Sequence, residues 1–402
     1  MPENLRIPVS YKKIYLNPGK EESLKRFHPW VFSGAIHHAE GRPEEGEIVE
    51  VYDSQKNFLA VGHCQIGSIA VRVLSFKQEE INGNFWKKRF ETAWTLRQGL
   101  LNKTNSNIFR LIHGEGDNLP GLITDVYGKT AVMQAHSPGM HPARFELATA
   151  MKEVMGDFIE NIYYKSEGTL PFKAGLEAED GYLYGGRNVS GTVVENGLQF
   201  RVDWEKGQKT GFFIDQRDNR SLLEKYAGGR DVLDMFCYTG GFSCYALRGG
   251  ASKVHSVDGS AKAIDLTNEN VALNFPGDIR HQAFAEDAFK YLGKTDASAY
   301  DLIILDPPAF AKHRKVLKNA LQGYKKLNAA AIEKIRTGGI IFTFSCSQVV
   351  TKEDFRLAVF SAAAQTGRNV KILHQLTQQA DHPVNIYHPE GEYIKGLVLF
   401  VE

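Results

Sequence analysis

The chain has 402 residues, of which 43% are apolar, and its 48 lysines and arginines nearly balance its 47 aspartates and glutamates. This length exceeds what one ordinary hydrophobic core serves and predicts about two or three domains. The balanced charge excludes a global field that would attract nucleic acid. A nucleic-acid partner therefore has to be met by a local basic surface.

Four cysteines, Cys64, Cys237, Cys244 and Cys346, form no CxxC pair, which argues against a zinc site and against a disulfide framework. Reduced cysteines suit a cytoplasmic protein. Residues 1–10 lack the apolar core of a signal peptide, and no segment is long and apolar enough to span a bilayer. We therefore expect a cytoplasmic protein without a membrane partner or a bound metal.

The first 80 residues carry short stretches of alternating apolar residues that are separated by turns, which is typical of a small β-barrel. These stretches are residues 31–34, 46–53, 58–62 and 69–74. Basic residues cluster near the start, namely Lys12, Lys13, Lys20, Lys25, Arg26 and His28. They fit a surface that binds RNA, and they fit an ordinary solvated face equally well.

Residues 81–190 indicate a compact α+β domain that follows a linker helix over residues 85–101. The pattern predicts strands near 109–113, 117–127, 130–135 and 161–165, and a helix over 143–155. The segment Gly114-Glu115-Gly116-Asp117 is more typical of a turn than of a metal site. Glycine-rich residues 181–191 predict a domain boundary.

From residue 193 onwards predicted strands and helices alternate, which favours an α/β fold with a doubly wound sheet over residues 191–402. The predicted strands lie near 231–236, 253–258, 279–284, 301–306, 338–345, 369–376 and 393–401, and the predicted helices start near 216, 241, 260, 286, 320 and 351. The last two strands are joined without a helix. They predict an antiparallel hairpin at one edge of the sheet.

The apolar run 302–305 ends abruptly at Asp306, Pro307 and Pro308. This pattern predicts a buried parallel strand that brings a carboxylate to the sheet edge where open α/β sheets bind ligands. The two prolines stiffen the loop and leave carbonyl groups available to a planar, donor-bearing group, and Phe310 offers a stacking face. A turn of purely structural role fits the same residues.

Acidic residues lie at or near the ends of three further predicted strands: Asp234, Asp258 and Asp287. The first is followed by a glycine turn that lets a ligand approach the start of a helix, and the second is placed to accept ribose hydroxyls. The third, Asp287, is placed with Ala288 to hydrogen-bond the edge of an adenine ring. Each acid alone also fits a helix N-cap. The complete set that we expect to bind the ligand here is Asp234, Phe236, Tyr238, Thr239, Gly240, Gly241, Asp258, Ser260, Asp287, Ala288 and Asp306.

The chain lacks the GxGxxG fingerprint of dinucleotide binders and the lysine-containing loop of nucleotide triphosphatases. An adenosine ligand without phosphates therefore fits better. S-adenosylmethionine is such a ligand, and the order of glycine turn, ribose acid, adenine acid and Asp-Pro-Pro is that of class I methyltransferases.

The predicted strand 338–345 ends at Cys346, next to the tip that carries Asp306, because consecutive parallel strands usually neighbour each other. A thiolate that adds to carbon 6 of a pyrimidine makes carbon 5 nucleophilic enough to take a methyl group. Asp306 would hydrogen-bond the ring at nitrogen 3 and the exocyclic amine. Cys346 also fits a small buried residue, and we assign the other three cysteines to packing.

The sequence resembles the PUA-domain-containing class I family that methylates carbon 5 of cytosine in large-subunit (23S) ribosomal RNA. The matching stretches cover nearly the whole chain: residues 28–34, 118–122, 209–217, 237–242, 306–308, 344–347 and 381–383. The resemblance implies an N-terminal PUA domain, a middle domain that faces RNA and a C-terminal catalytic domain. It also implies S-adenosylmethionine as cofactor, Cys346 as nucleophile, and residues 209–217, with Asp215, Gln216 and Arg217, against the methionine end of the cofactor.

One position departs from the family, which often has lysine where this chain has Ala309, and Lys312 is a candidate substitute. We expect Pro307, Pro308, Phe310 and Lys312 to contact the substrate. A basic run follows, which fits phosphate contacts or a solvated helix face: Lys312, Arg314, Lys315, Lys318, Lys325 and Lys326. Asp215 also fits a helix N-cap.

These observations lead to the hypothesis of an RNA methyltransferase that transfers a methyl group to cytosine carbon 5 through a Cys346 adduct, acting on ribosomal RNA, either naked or in a pre-ribosomal particle. The alternatives are methylation of uridine carbon 5 or of a guanine nitrogen, and a noncatalytic RNA-binding protein of ribosome assembly. An exposed strand edge leaves a homodimer open.

Overall fold

The chain forms two compact units in a computed structural model that describes residues 10–101, 104–171, 175–186 and 189–402. Unit 1 comprises residues 1–190, 203–211 and 380–391, and unit 2 comprises residues 191–202, 212–379 and 392–402. The backbone therefore passes from one unit to the other more than once. The prediction that residues 1–10 do not form a signal peptide falls mostly on residues 1–9, which lie outside the described residues.

Unit 1 begins with a six-stranded, mainly antiparallel β-module, in which β4 has the clearest alternation of buried and partly exposed residues. Its elements are β1 Lys12–Leu16, α1 Glu22–Lys25, β2 Trp30–Phe32, β3 Ile36–Ala39, β4 Ile48–Tyr52, β5 Phe58–Cys64 and β6 Ile69–Ser75. The strands pair in the order β2-β6-β5-β4-β1-β3, and only the β1–β4 pair among these described strands is parallel. A core of valine, leucine and isoleucine fills the module, which is the small β-domain that the alternation predicts.

The second part of unit 1 packs two helices on a mixed sheet. Its elements are α2 Gly83–Leu101, β7 Ile108–His113, β8 Leu122–Tyr127, β9 Thr130–Ala135, α3 Arg144–Met155, β10 Asn161–Tyr164 and β11 Gly181–Tyr184. The strands pair in the order β11-β10-β9-β8-β7. Val61 and Leu74 of the first module share one core with Trp86 and Phe90 of α2. The division at residue 80 and the division at residue 190 stay predictions.

Unit 2 starts with a hairpin, β12 Thr192–Glu195 and β13 Leu198–Arg201, which is followed by a seven-stranded sheet within the described residues. The remaining strands are β14 Asp231–Met235, β15 Lys253–Asp258, β16 His281–Ala285, β17 Leu302–Leu305, β18 Gly339–Ser345, β19 Val370–Leu376 and β20 Lys395–Val401. The helices are α4 Arg217–Glu224, α5 Gly241–Arg248, α6 Ala261–Asn274, α7 Ala288–Lys294, α8 Leu317–Lys334 and α9 Lys352–Thr366.

The large sheet has the order β16-β15-β14-β17-β18-β20-β19, and β14 to β18 are parallel where they pair. Fully buried aliphatic residues make up all of β17, and Val232, Leu233 and Met235 of β14 are also fully buried, as expected for strands that are covered on both faces. The order reverses between β14 and β17. Ligands of open α/β sheets bind at the carboxyl ends of the strands at such a point.

The predicted strands and helix starts of unit 2 are confirmed within a few residues. The predicted antiparallel hairpin is also confirmed, since β19 and β20 pair antiparallel. The hairpin lies at one edge of the sheet, as expected, with β20 between β18 and β19 and β19 outermost. The glycine-rich segment that we expected to be a boundary contains β11, which pairs with β10.

Candidate functional site

The predicted acid and thiol follow the neighbouring strands β17 and β18 and lie at the same edge of the sheet. The strands pair in parallel register, with Leu305 beside Thr343. Asp306 therefore leaves the sheet close to the turn that carries Cys346, and the Cys346 thiol lies 3.9 Å from the carbonyl oxygen of Pro307. Both side chains are partly exposed. This edge of the sheet thus presents a thiol and a carboxyl group together.

Burial raises the pKa of Asp306 to about 7, and the nearby Asp215 carboxyl adds to this rise. The side-chain amide of Gln216 donates a hydrogen bond of 3.1 Å to Asp306 Oδ2. Gln216 is itself held by Asn219, whose amide donates to Gln216 Oε1 over 2.6 Å. A carboxyl group with such a pKa can donate or accept a proton near neutral pH.

The pKa of the Cys346 thiol is raised to about 12, first by burial and then by the negative charges of Asp306 and Asp215. The thiol is therefore protonated at neutral pH in the protein alone. Formation of the reactive thiolate requires positive charge nearby or removal of the proton during attack.

The turn between β14 and α5 contains three residues with left-handed backbone conformations. Phe236 and Tyr238 have positive φ angles of 61° and 49°, and Gly240 has a φ of 76°. Non-glycine residues in this region are sparse and cluster at functional sites. A Cβ atom at Gly240 would lie 2.7 Å from Thr267 Cγ2, so this position requires glycine. Thr239 and Gly241 are buried beside it.

Asp258 ends β15 and caps two backbone groups. Its Oδ2 accepts from the Tyr238 amide over 3.0 Å, and its Oδ1 accepts from the Ser260 amide over 2.9 Å. The acid thus ties the strained turn to the start of α6, where Ser260 is the N-cap and accepts from Ala263. The carboxylate oxygens retain lone pairs for ligand hydroxyls.

Asp287 lies at the tip of β16 and is the N-cap of α7, where its Oδ1 accepts from the Lys290 amide over 2.9 Å. The alternative of a helix cap is therefore true for this residue. Asp287 is exposed, whereas its neighbour Ala288 is buried. Both lie on the same edge of the sheet as Asp234 and Asp258 because β16, β15 and β14 are parallel neighbours.

Two buried carboxylate oxygens in this region have no hydrogen-bond donor among the described residues: Asp215 Oδ1 and Asp234 Oδ1. Asp234 is 1% exposed, and burial raises its pKa to about 7. The other oxygen of each group is used, by the Tyr393 hydroxyl at 2.6 Å and by the Ser243 hydroxyl at 2.6 Å respectively. Orphaned acceptors of this kind fit a ligand that brings a positively charged donor such as an amino group.

The predicted N-cap role of Asp215 is wrong. Asp215 lies inside the 3-10 helix Ile214–Gln216, and Gln216, which occupies the N-cap position of α4, makes no capping bond through its side chain. The carboxylate of Asp215 instead accepts a hydrogen bond from the hydroxyl group of Tyr393, which is distant in sequence. A 3-10 turn before the α-helix moves the cap by one residue.

The segment 209–217 is divided between the two units after Gly211. In unit 1 the Thr210 hydroxyl donates to Asp125 Oδ2 over 2.6 Å. In unit 2 Arg217 is buried, and its Nε lies 3.7 Å from Glu195, which also forms a bidentate pair with Arg220. The segment thus contains residues that anchor the fold, Thr210 and Arg217, and the two residues that act on Asp306, namely Asp215 and Gln216.

Phe310 is half-buried and packs inward. Its ring lies 4.6 Å from that of Tyr324 on α8, and a Cβ atom at Gly323 would come within 3.0 Å of it. One face of the ring is therefore used for packing, and the substrate contact of Phe310 stays a prediction. Pro307 is buried, and Pro308 and Lys312 are exposed.

Sequence reasoning missed two residues that approach the thiol and Asp215: Lys395, which begins β20, and Tyr393 just before it. The Tyr393 hydroxyl reaches Asp215, and the Lys395 ammonium reaches the carbonyl oxygen of Ser347 over 2.6 Å. The available signal was a lysine at the start of an otherwise apolar strand, Lys395–Val401.

Among the residues that the structure describes, no three histidine, cysteine, aspartate or glutamate side chains are grouped to hold a metal ion. Within the same residues no helix is long and apolar enough to cross a membrane.

Comparison with known proteins yields two matching family models: S-adenosylmethionine-dependent methyltransferase over residues 177–386, and PUA-like domain over residues 14–76. The chain is 40% identical to the ribosomal RNA large subunit methyltransferase I of Alteromonas mediterranea, over 96% of this chain and 98% of that protein. A solved structure from Streptococcus mutans, assigned as a SAM-dependent methyltransferase, covers 97% of this chain and 100% of its own with 23% identity and a TM-score of 0.83. A second, assigned as a methyltransferase and complexed with SAH, has 24% identity, the same coverage and a TM-score of 0.83.

Proposed function

This chain belongs to the family of S-adenosylmethionine-dependent methyltransferases, here preceded by a PUA-like domain, and we propose that it methylates carbon 5 of a cytosine in large-subunit (23S) ribosomal RNA. The observation that carries the proposal is the Cys346 thiol beside the Asp306-Pro307-Pro308 loop, 3.9 Å from the Pro307 carbonyl oxygen. The substrate class is taken from the relatives that share 40% of their residues with this chain over nearly its whole length.

The residues present fit the cofactor. Asp215 and Asp234 each have a buried oxygen without a donor, which suits the amino group of the methionine moiety. Asp258 suits the ribose hydroxyls, and Asp287 with Ala288 suits the adenine edge. Gly240, in its left-handed conformation, leaves the turn open. When bound, S-adenosylmethionine supplies an electrophilic methyl group on a positively charged sulfonium.

Cys346 then acts on the base. As its S–H proton passes to a water molecule, the sulfur attacks carbon 6 and a sulfur–carbon bond forms. The electron pair of the carbon 5–carbon 6 double bond then becomes available at carbon 5 for the methyl group. Asp306, with a pKa raised to about 7, can donate a proton to nitrogen 3 during attack and recover it later. Transfer of the carbon 5 proton to a water molecule restores the double bond, breaks the sulfur–carbon bond and releases the Cys346 thiolate.

RNA phosphates would be met by the basic run after the Asp-Pro-Pro loop. These side chains are at least partly exposed and have no ion-pair partner within the described residues: Lys312, Arg314, Lys315, Lys318, Lys325 and Lys326. Cations that are not neutralised by neighbouring carboxylates remain available to phosphate groups. The run supports the RNA substrate although the whole chain is nearly neutral.

The test is incubation of the protein with unmodified large-subunit ribosomal RNA and S-adenosylmethionine that carries a radioactive methyl group, followed by digestion to nucleosides. We expect label in 5-methylcytidine. Label in a uridine or guanosine derivative would contradict the cytosine assignment. If naked RNA is not labelled, the same assay on ribosomal particles decides, and no label on either would contradict ribosomal RNA as substrate.

The thiol mechanism is tested by Cys346→Ala. We expect the rate of methyl transfer to fall by about a thousandfold or more, because no other group can form the adduct, while cofactor affinity stays within about twofold. Cys64→Ala is the matched control, since Cys64 belongs to unit 1. Methyl transfer by Cys346→Ala at the wild-type rate would exclude the adduct.

A further inference from the structure

Lys395 is a buried lysine at the sheet edge that carries the thiol. It begins β20 and pairs across the sheet with Ser345, the residue that precedes Cys346. Lys395 is 4% exposed, whereas the strand that it begins is otherwise apolar. Lysine is almost never buried without a reason in its surroundings. The strand propensity of the sequence does not explain a lysine at this position.

The Lys395 ammonium fixes the turn that holds the thiol. It donates hydrogen bonds to the carbonyl oxygens of Ser347, at 2.6 Å, and Tyr393, at 2.8 Å. Ser347 follows Cys346 directly. The Tyr393 hydroxyl in turn donates to Asp215 Oδ2 at 2.6 Å. One side chain therefore connects the backbone around Cys346 with the segment that orients Asp215.

The charge of Lys395 has no carboxylate partner within ion-pair distance among the described residues, and its hydrogen bonds to Ser347 and Tyr393 are to neutral carbonyl oxygens. The nearest acidic residue in the chain, Glu392, is paired with Lys352 over 2.5 Å. Burial accordingly lowers the pKa of Lys395 to about 8. A buried cation that is not neutralised is costly, and such groups are retained where their charge is used.

Charged and titratable groups approach Cys346 from four elements. Asp306 follows β17, Asp215 lies in the 3-10 helix before α4, Tyr324 lies on α8, and Lys395 begins β20. The two carboxyl groups raise the pKa of the thiol, and Lys395 lowers it. Tyr324 is a neutral phenol whose pKa is itself raised to about 12. Lys395 is thus a cation that is held on the backbone of Ser347, directly after Cys346, and whose charge acts on the thiol.

We propose that Lys395 is a positioning residue for Cys346, whose ammonium fixes the turn around the thiol and stabilises the negative charge that develops on sulfur. This inference rests on the proposed function for its catalytic meaning, but the property that it describes, thiolate formation at Cys346, is measurable without any methyl transfer. A cation beside a cysteine favours the thiolate in other nucleophilic sites by the same physics.

The experiment measures alkylation of Cys346 by iodoacetamide between pH 6.5 and 9.5 in the full-length protein. The thiolate sulfur displaces iodide and forms a new sulfur–carbon bond, so the rate at each pH reports the thiolate fraction. Peptide mass spectrometry separates Cys346 from Cys64, Cys237 and Cys244. The variants are Lys395→Met, which removes the charge, and Lys395→Arg, which retains it. Lys371→Met is the matched control, because Lys371 lies on β19 and is exposed.

At pH 7.5 we expect Lys395→Met to slow alkylation of Cys346 by about tenfold, the effect of one pKa unit, and Lys395→Arg to stay within about threefold of the wild type. Lys371→Met should match the wild type. Equal rates for Lys395→Met and wild type would overturn the proposal, and so would equal slowing by Lys395→Met and Lys395→Arg, since retained charge would then have no effect. Unmeasurable alkylation of wild-type Cys346 up to pH 9.5 would also overturn it.

The outcome is separable from that of the proposed function. If no RNA is methylated, the alkylation profiles still decide the role of Lys395. If RNA is methylated, kcat of Lys395→Met should fall by about tenfold while KM for S-adenosylmethionine and RNA stays within about threefold. A change confined to KM would assign Lys395 to binding and contradict the proposal.

Discussion

At the scale of single residues, the candidate site combines buried carboxyl groups that ordinary surroundings would leave ionised. Asp234 and Asp306 both have a pKa raised to about 7, first by burial. A carboxyl group with such a pKa is partly protonated near neutral pH, and an adjacent cation favours its charged form. The protonation of these two groups therefore couples to the binding of a cationic ligand.

This coupling predicts that binding of S-adenosylmethionine releases protons near pH 6.5 and that affinity rises as the pH increases from 6 to 7.5. The cation lowers the pKa of Asp234, so the bound state holds fewer protons than the unbound state. Calorimetry in buffers of different ionisation enthalpy counts these protons. Asp234→Asn should release fewer protons and bind about tenfold more weakly at pH 7.5.

The control for that prediction is Asp278→Asn, because hydrogen bonds from Arg280 hold the pKa of Asp278 below its usual value and keep it ionised throughout. Equal proton release by Asp234→Asn and wild type would contradict the prediction. The free energy of unfolding changes with pH in the opposite direction to the affinity for the cofactor. Since Asp234 keeps a proton in the folded protein that the unfolded chain loses above pH 4, the free energy of unfolding decreases as the pH rises from about 4 to 7, by at most about 1.4 kcal/mol per pH unit.

At the scale of elements, the connection from β14 to α5 depends on one glycine. Gly240 combines a φ of 76° with a side-chain direction that Thr267 blocks. Thr267 cannot move aside cheaply, because its hydroxyl donates to the carbonyl oxygens of Tyr238 and Ala263. The strand end, the turn and the helix start are therefore held in one arrangement.

Gly240→Ala should lower the free energy of unfolding by about 2–4 kcal/mol, from left-handed strain and overpacking together. It should also weaken cofactor binding, since the turn has to shift. Gly229→Ala is the matched control, with a φ of 69° and nothing within 4 Å of the added Cβ atom, and should cost only about 1–2 kcal/mol. Urea unfolding and calorimetry measure the two effects, and equal costs for both variants would show that the contact with Thr267 is relaxed easily.

At the scale of the whole molecule, each unit is completed by chain segments that are distant in sequence. Residues 380–391 follow most of unit 2 but belong to unit 1. There the carbonyl oxygen of Asp381 accepts from Arg97 over 2.9 Å, and Asp381 Oδ2 accepts from the Arg110 amide over 3.2 Å. Arg97 is fully buried and also forms a bidentate pair with Asp117.

We therefore expect Asp381→Ala to lower the free energy of unfolding of the full chain by about 1.5–3 kcal/mol, because buried donors lose a charged acceptor. The control is Glu390→Ala in the same segment, where the carboxylate is 46% exposed and the expected cost stays below about 0.5 kcal/mol. Chemical denaturation followed by intrinsic fluorescence measures both. A cost for Asp381→Ala as small as that of Glu390→Ala would show that unit 1 does not depend on the returning segment.

Local patterns in the sequence determined the strands of unit 2, their order along the chain and the residues at their tips. The sequence alone predicts that Asp306 and Cys346 lie close together, because apolar runs specify parallel strands and consecutive parallel strands tend to pair. The glycine turn after β14 and the acid at the end of β15 are evident from the sequence in the same way. The cofactor followed from the chemistry of these tips together with the family resemblance.

Tertiary structure alone decided which distant residues complete the site. The insertion of β20 between β18 and β19 brings Lys395 and Tyr393 to Cys346 and Asp215, and no local pattern encodes that pairing. The return of residues 380–391 to unit 1 is equally invisible in the sequence. The physical reason is that periodicity reports which face of an element is buried, whereas the partner on that face is set by the packing of the whole chain.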